Sequence, residues 1–384
     1  MTSLISTLLR CFAGRVPDQG APSLSAAAAN ASAAELEWAF AAGLGPLLRA
    51  SLGTAGSALP PALAERLLAA DLTARVLIEQ RVLTALDAVD ACERRGHPVT
   101  LLKGISLSHY QYESPHFRPM TDVDVLVPEE AVAELESDLL ERDYRHAAPV
   151  MAPDSHHGEP LYHSSTHTKL ELHSALFPRR SPLRTGTLFD GPTLARESIE
   201  ARFHGRTVRR LSREFQLVYL ASAWSRDLCD QSLDPSFVFG LFDAVALTRS
   251  PFDWDRVLEL VDNPLAAASL DVLLACLSQL HGALVPSRVR DGVRRRHRLL
   301  GAAEVALLRS LVRRSLLGGR RFEFCNSWRI WSSLFSTDGR PGLKLLRLPS
   351  HVAFPPQDPR RFDVTMQWAR LRRWATKEAR SPGS

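Results

Sequence analysis

Met120-Thr121-Asp122-Val123-Asp124-Val125-Leu126-Val127 sets two aspartates two residues apart in a run of β-branched and aliphatic residues. Side chains alternate between the faces of a strand, so Asp122 and Asp124 point to one side while Val123, Val125 and Val127 point to the other. One face carries chemistry and the other carries core. Upstream, Val99-Thr100-Leu101-Leu102-Lys103 after Pro98 reads as a buried strand, and Gly104 to Tyr112 reads as a helix that ends before Pro115. Downstream, Pro128 closes the Asp-bearing strand, and Glu129 to Arg142 has Val132, Leu135, Leu139 and Leu140 at helical spacing. Thr168-Lys169-Leu170-Glu171-Leu172-His173 then alternates again, with Leu170 and Leu172 inward and Lys169, Glu171 and His173 opposite. That alternation offers a third carboxylate.

The rest of the chain limits what this site can belong to. With 384 residues, 45% of them hydrophobic, the chain can bury one large core or two modest ones. Five widely scattered cysteines form no Cys-x-x-Cys pair, which argues against structural zinc or a redox dithiol and for a reducing, cytoplasmic setting. The N-terminus lacks a charged n-region, and no run approaches the ~20 apolar residues of a membrane helix, so neither export nor a span is expected. The formal charge of +5 is unevenly spread. Pro286 to Arg321 carries eleven arginines against Asp291 and Glu304, and Arg340 to Arg380 carries ten basic residues against three acidic ones. Such segments read either as solvated helix faces or as a cationic surface for nucleic acid, an acidic peptide or lipid headgroups. Trp328, Trp331, Trp368 and Trp374 lie among them.

Four regions follow from these patterns. Residues 1–95 form an N-terminal helical region, with Ser25 to Ala34 as a loose linker, a short helix at Glu35–Ala42, and a long helix from Leu63 to Arg94 stopped by Gly96. Residues 96–180 hold the strands and the carboxylates. Residues 181–310 read as helices at Ser212–Asp227, Pro235–Leu247, Trp254–Val261 and Leu265–Leu284, and residues 311–384 as a basic, Trp-containing appendage.

Three carboxylates on one sheet face suit divalent metal chemistry. Magnesium prefers oxygen ligands and binds through one or two carboxylates plus phosphates and waters. Two such ions, about 3.5–4 Å apart, clamp the entering and leaving oxygens of an in-line displacement at phosphorus. Asp122 and Asp124 would bridge them, and Glu171 would complete the site and act as base. The Lys103-Gly104 turn gives backbone amides and a helix N-terminus for a triphosphate, with Lys103, Ser106 and Arg118 as further phosphate contacts and His173 orienting the acceptor or supporting the ligands. Each element alone has a plainer reading: a solvent-facing edge for Asp-x-Asp, a simple turn for Lys-Gly, a surface residue for Glu171. Their combination selects the catalytic one. His156, His157, His163 and His167 match no compact zinc ligand set and read as solvated loop histidines.

Leu101-Leu102-Lys103-Gly104, Arg118 ahead of Asp122-Val123-Asp124-Val125-Leu126-Val127, and Leu170-Glu171-Leu172-His173 together resemble the uncharacterised bacterial nucleotidyltransferase family of the polymerase-β superfamily. Gly45-Pro46-Leu47-Leu48, Leu211 to Leu217, Leu241 to Ala244 and Phe252 to Asp255 extend the resemblance over roughly residues 35 to 310. It implies an α+β fold, a small mixed sheet embedded in a predominantly helical chain, and magnesium-dependent transfer of a nucleoside monophosphate from a nucleoside triphosphate to a small molecule, peptide or protein. The chain departs from the wider superfamily in having Gly104-Ile105 at the turn and glutamate as third carboxylate. Two other functions fit the same residues: a toxin-like transferase acting on RNA through the basic segments, and a binding scaffold that keeps the fold without catalysis.

Overall fold

The computed structural model describes residues 4–14, 23–53, 59–146, 156–230, 234–280, 284–317, 330, 333–335 and 344–346. Helices α1 (Leu4–Phe12), α2 (Leu24–Ala29), α3 (Ala33–Ala41), α4 (Gly45–Leu52) and α5 (Pro61–Arg95) come first. The segment bearing the carboxylates follows as β1 (Thr100–Leu101), α6 (Lys103–Gln111), β2 (Asp122–Leu126), α7 (Val132–Leu140), β3 (Tyr144–His146), β4 (Leu161–His163) and β5 (Lys169–His173). Next come α8 (Gly191–Glu197), a hairpin of β6 (Ser198–Phe203) and β7 (Arg206–Leu211), and the helices α9 (Arg213–Asp230), α10 (Phe239–Leu247), α11 (Trp254–Leu260), α12 (Pro264–Leu280), α13 (Ser287–Arg296) and α14 (Ala302–Ser315). The strands form one sheet in the order β3-β4-β5-β2-β1-β7-β6. β2 runs parallel to β5 and β1 to β7, while the other pairs are antiparallel. This is the expected α+β architecture, a mixed sheet within a mostly helical chain.

The two faces of the sheet meet different layers. Val123, Val125, Leu170 and Leu172 go into a core with Ala85, Ala88, Val89 and Cys92 of α5 and Leu135 and Leu139 of α7. The small residues of α5 let the helix lie close on the strands. A larger core gathers α1, α4, α9, α10 and α12 and takes in Leu102, Leu107 and Leu126. Helix α5 serves both cores, through Leu63 and Leu67 near its start and its alanines near its end. It stops where expected, at Gly96 (φ 74), a left-handed position that glycine adopts without a Cβ penalty.

Several elements differ from the sequence reading. The strand expected over Val99–Lys103 shortens to Thr100–Leu101 because Lys103 already begins α6. Strands β3 and β4 flank the carboxylate strands unannounced, and the β6–β7 hairpin occupies a region read as helical. Its two-residue turn, His204 (φ 45) and Gly205 (φ 84), has the paired positive φ values that match the twist of a hairpin. The supposed linker at Ser25–Ala34 instead contains part of α2 and the start of α3, each capped by a serine: Ala26 N donates to Ser23 Oγ and Glu35 N to Ser32 Oγ, both at 3.2 Å. Trp328, Trp331, Trp368 and Trp374 lie outside the described residues, as does most of the basic appendage. Among the described residues no helix is long and apolar enough to cross a membrane.

Candidate active site

Parallel pairing of β2 with β5 sets the register of the site. Asp122 lies opposite Lys169, Val123 opposite Leu170, Asp124 opposite Glu171 and Leu126 opposite His173. The apolar partners drop into the core below, so Asp122, Asp124, Lys169, Glu171 and His173 share the other face. His173 Nε2 lies 2.6 Å from Asp124 Oδ1 and 3.4 Å from Glu171 Oε2. One ligand atom from each of Asp124, Glu171 and His173 falls within 4.8 Å of the others. Two carboxylates and an imidazole make a donor set that fits a divalent cation. Asp122 stands slightly apart, with its Oδ2 3.1 Å from Lys169 Nζ, and Lys169 Nζ is also 2.8 Å from Glu171 Oε1.

The β1–α6 turn brings a second lysine to this face. Leu102 N donates to Asp124 O at 3.0 Å, so β1 and β2 stay paired up to the turn. Lys103 then takes φ 39, a left-handed conformation that costs a residue with a Cβ about 1–2 kcal/mol. The strain is held by an ion pair, because Lys103 Nζ reaches Asp124 Oδ1 at 2.8 Å. Gly104 is required by close approach: a Cβ there would sit 2.9 Å from Met120 Cβ and 3.0 Å from an Arg118 guanidinium nitrogen. Ser106 is buried in the first turn of α6, and Ser108 donates to Ile105 O at 3.1 Å.

These contacts fix the charge states. Burial alone would raise the Asp124 carboxyl, but Lys103 and His173 outweigh it and hold the group well below the usual carboxylate range. Burial likewise opposes ionisation of Glu171, yet hydrogen bonds from His173 and Lys169 overcome burial and Asp124 repulsion to bring it to about 2. Both are therefore carboxylates at neutral pH. Lys103 and Lys169 are desolvated, and in each case the neighbouring carboxylates more than compensate and raise the ammonium pKa.

Arg118 sits where the chain enters β2, and its partner was not foreseen. Its Nη2 donates to Asp243 Oδ2 at 2.9 Å and its Nε to Oδ1 at 3.3 Å, while Tyr112 OH donates to Oδ1 at 2.7 Å. Asp243 is fully buried on α10, and the sequence signal for it is a lone carboxylate in the apolar helix Phe239–Leu247. Lys103, Arg118 and Asp122 border a cleft of about 610 Å³ closed on its other side by Gln216, Tyr219, Trp224 and Asp227 of α9. The Tyr219 hydroxyl and Gln216 Oε1 are buried in this wall with no hydrogen-bond partner among the described residues.

The loop histidines divide. His156 and His157 pack on His173, with ring centroids 5.1 and 5.3 Å away, and His156 is buried. The reading of these two as solvated is corrected by the strand bridge between His157 and His173, which folds the loop back over the site. Burial, then repulsion from His173, pushes His156 down to about 3. His163 and His167 lie at the β4 end, away from this group, where His163 stacks edge-on with Tyr144.

A family model described as an uncharacterised nucleotidyltransferase matches residues 33–282. The protein is thus a transferase of the nucleotidyltransferase class. It belongs to the uncharacterised nucleotidyltransferase family, as the motifs around Lys103, Asp124 and Glu171 suggest. Among solved structures, ANT(2'')-Ia in complex with adenylyl-2''-tobramycin is 17% identical, over 50% of this chain and 97% of that one, with a TM-score of 0.34. An antigenic nucleotidyltransferase-like protein from Paracoccidioides brasiliensis is 15% identical, over 56% of this chain and 93% of that one, with a TM-score of 0.36. Likenesses this distant carry no argument about substrate. No match is found among curated proteins.

Proposed function

We propose that this protein transfers a nucleoside monophosphate from a nucleoside triphosphate to a hydroxyl or phosphate of a small molecule, peptide or protein, with magnesium as cofactor. The observation that carries the reading is the β2–β5 register, which sets Asp124 beside Glu171 on the face of the sheet that carries the ionisable side chains. Asp124, Glu171 and His173 would hold the cation, with Asp122 as the adjoining carboxylate. When bound, magnesium supplies positive charge to phosphate oxygens and to the acceptor oxygen. The chain's own residues do the positioning. Lys103 and the Arg118 guanidinium border the cleft, and together with the amides of Gly104 and the first turn of α6, which holds Ser106, they would contact the triphosphate. In the reaction the acceptor oxygen bonds to the α-phosphorus, the bond to the bridging oxygen breaks, and pyrophosphate leaves. The acceptor's proton goes to Glu171 and on to water. A carboxyl at about 2 suits cation binding better than proton retention, so Glu171 acts as a transient base.

The test is label transfer from each of four α-labelled nucleoside triphosphates with magnesium, in extract from the source cell, comparing wild type with Asp122→Ala and Asp124→Ala. Label should move onto a discrete species with wild type alone. Turnover retained in either variant would remove the mechanism.

A further inference from the structure

Strand β5 carries a basic residue on the face that gathers the acids. Lys169 lies opposite Asp122 in the register, two residues from Glu171 and therefore on the same side of the strand. Its Nζ is 3.1 Å from Asp122 Oδ2 and 2.8 Å from Glu171 Oε1, so one ammonium joins the two carboxylates. The acidic face is thereby split. Asp124, Glu171 and His173 form a compact donor set to which Asp122 does not contribute, and Asp122 and Glu171 form a second acidic pair already bridged by a cation.

We infer that the protein seats a single divalent cation, on Asp124, Glu171 and His173, and that the Lys169 ammonium bridging Asp122 and Glu171 takes the place of the second ion expected from the sequence. Charge balance argues the same way. Three carboxylates against the ammonium groups of Lys103 and Lys169 leave a formal charge of −1. One divalent cation turns this to +1, whereas a second would crowd it to +3 before any phosphate arrives. Lysine is suited to the substitution because its ammonium is a compact point charge on a flexible stem. Lys169 is held from two sides and only 27% exposed, so it remains beside Asp122 rather than swinging into solvent. The role assigned to Lys169 rests on the nucleotidyl-transfer reading; the number of ions stands by itself.

Electron paramagnetic resonance of the full chain with manganese and inorganic tripolyphosphate reads that number directly. Two ions about 3.5–4 Å apart give a spin-coupled signal, and one ion gives an isolated six-line spectrum. Wild type and Lys169→Arg should bind one isolated manganese per chain. Lys169→Met should bind two, as a coupled pair. A coupled pair in wild type, no bound manganese in wild type, or a single ion in folded Lys169→Met would overturn the inference. The wild-type spectrum decides the count even if the methionine variant does not fold. Label transfer and ion count are independent readouts: one bound ion without transfer would remove the proposed function alone, and transfer with two ions would remove this inference alone.

Discussion

Asp124 accepts both Lys103 and His173 on a single oxygen while only 2% exposed, and that concentration of partners explains the site's electrostatics. A buried carboxylate is tolerable only when paired, and the cost of removing its partners, about 3–5 kcal/mol, exceeds what the pair adds to stability. His156 shows the opposite response to burial. Its folded pKa of about 3 lies below the ordinary value of 6.5, so the unfolded chain takes up a proton first as pH falls. The stability it contributes is complete above ~6.5 and is lost between there and about 3. Urea unfolding followed from pH 7 to pH 4 should therefore fall more steeply for wild type than for His156→Gln. Parallel curves would show that His156 has no part in the acid response.

At the scale of elements, the β1–α6 turn matters most. Lys103 at φ 39 and Gly104 against Met120 together let α6 start directly from the strand that pairs with β2. Gly104→Ala should cost about 1–3 kcal/mol through overpacking, because the new methyl meets Met120 Cβ rather than a flexible side-chain end. A thermal midpoint unchanged from wild type would mean that the Arg118–Met120 segment yields freely. The long helix α5 shows the limit of reading periodicity from sequence. Leu68, Val76, Leu77 and Leu83 fit its apolar pattern but are 41–60% exposed, while Ala85, Ala88 and Ala91 make the buried contact with the sheet.

For the molecule as a whole, the cleft arises because α9 crosses opposite the carboxylate face and supplies a wall that no motif announced. Tyr219 is 1% exposed, and its hydroxyl is buried without a partner among the described residues, a state that costs about 1–3 kcal/mol relative to a satisfied group. Tyr219→Phe should leave the urea midpoint unchanged or slightly higher while lowering the rate of label transfer. Marked destabilisation would reveal a structural partner for the hydroxyl. The described part of the basic stretch is partly committed within the fold, since Arg294 pairs with the buried Asp271 and Arg288 with Asp255.

The alternation in Asp122–Val127 and Lys169–His173 was legible from sequence because a strand has a strict period of two, and that period fixes which side chains share a face. The glycine stop of α5 and the strand-turn-helix at Lys103-Gly104 were legible for the same local reason: backbone conformation there is set by the residues themselves. The β6–β7 hairpin left only a weak local trace in His204-Gly205. No local signal could show that Lys169 bridges Asp122 and Glu171, that Asp243 anchors Arg118 from 125 residues away, or that α9 closes the cleft. The chain sequence alone determined the acidic face. Which acids converge, which are neutralised by lysine and what lies opposite them were decided by parallel strand pairing and helix packing, which bring together residues that share no local pattern.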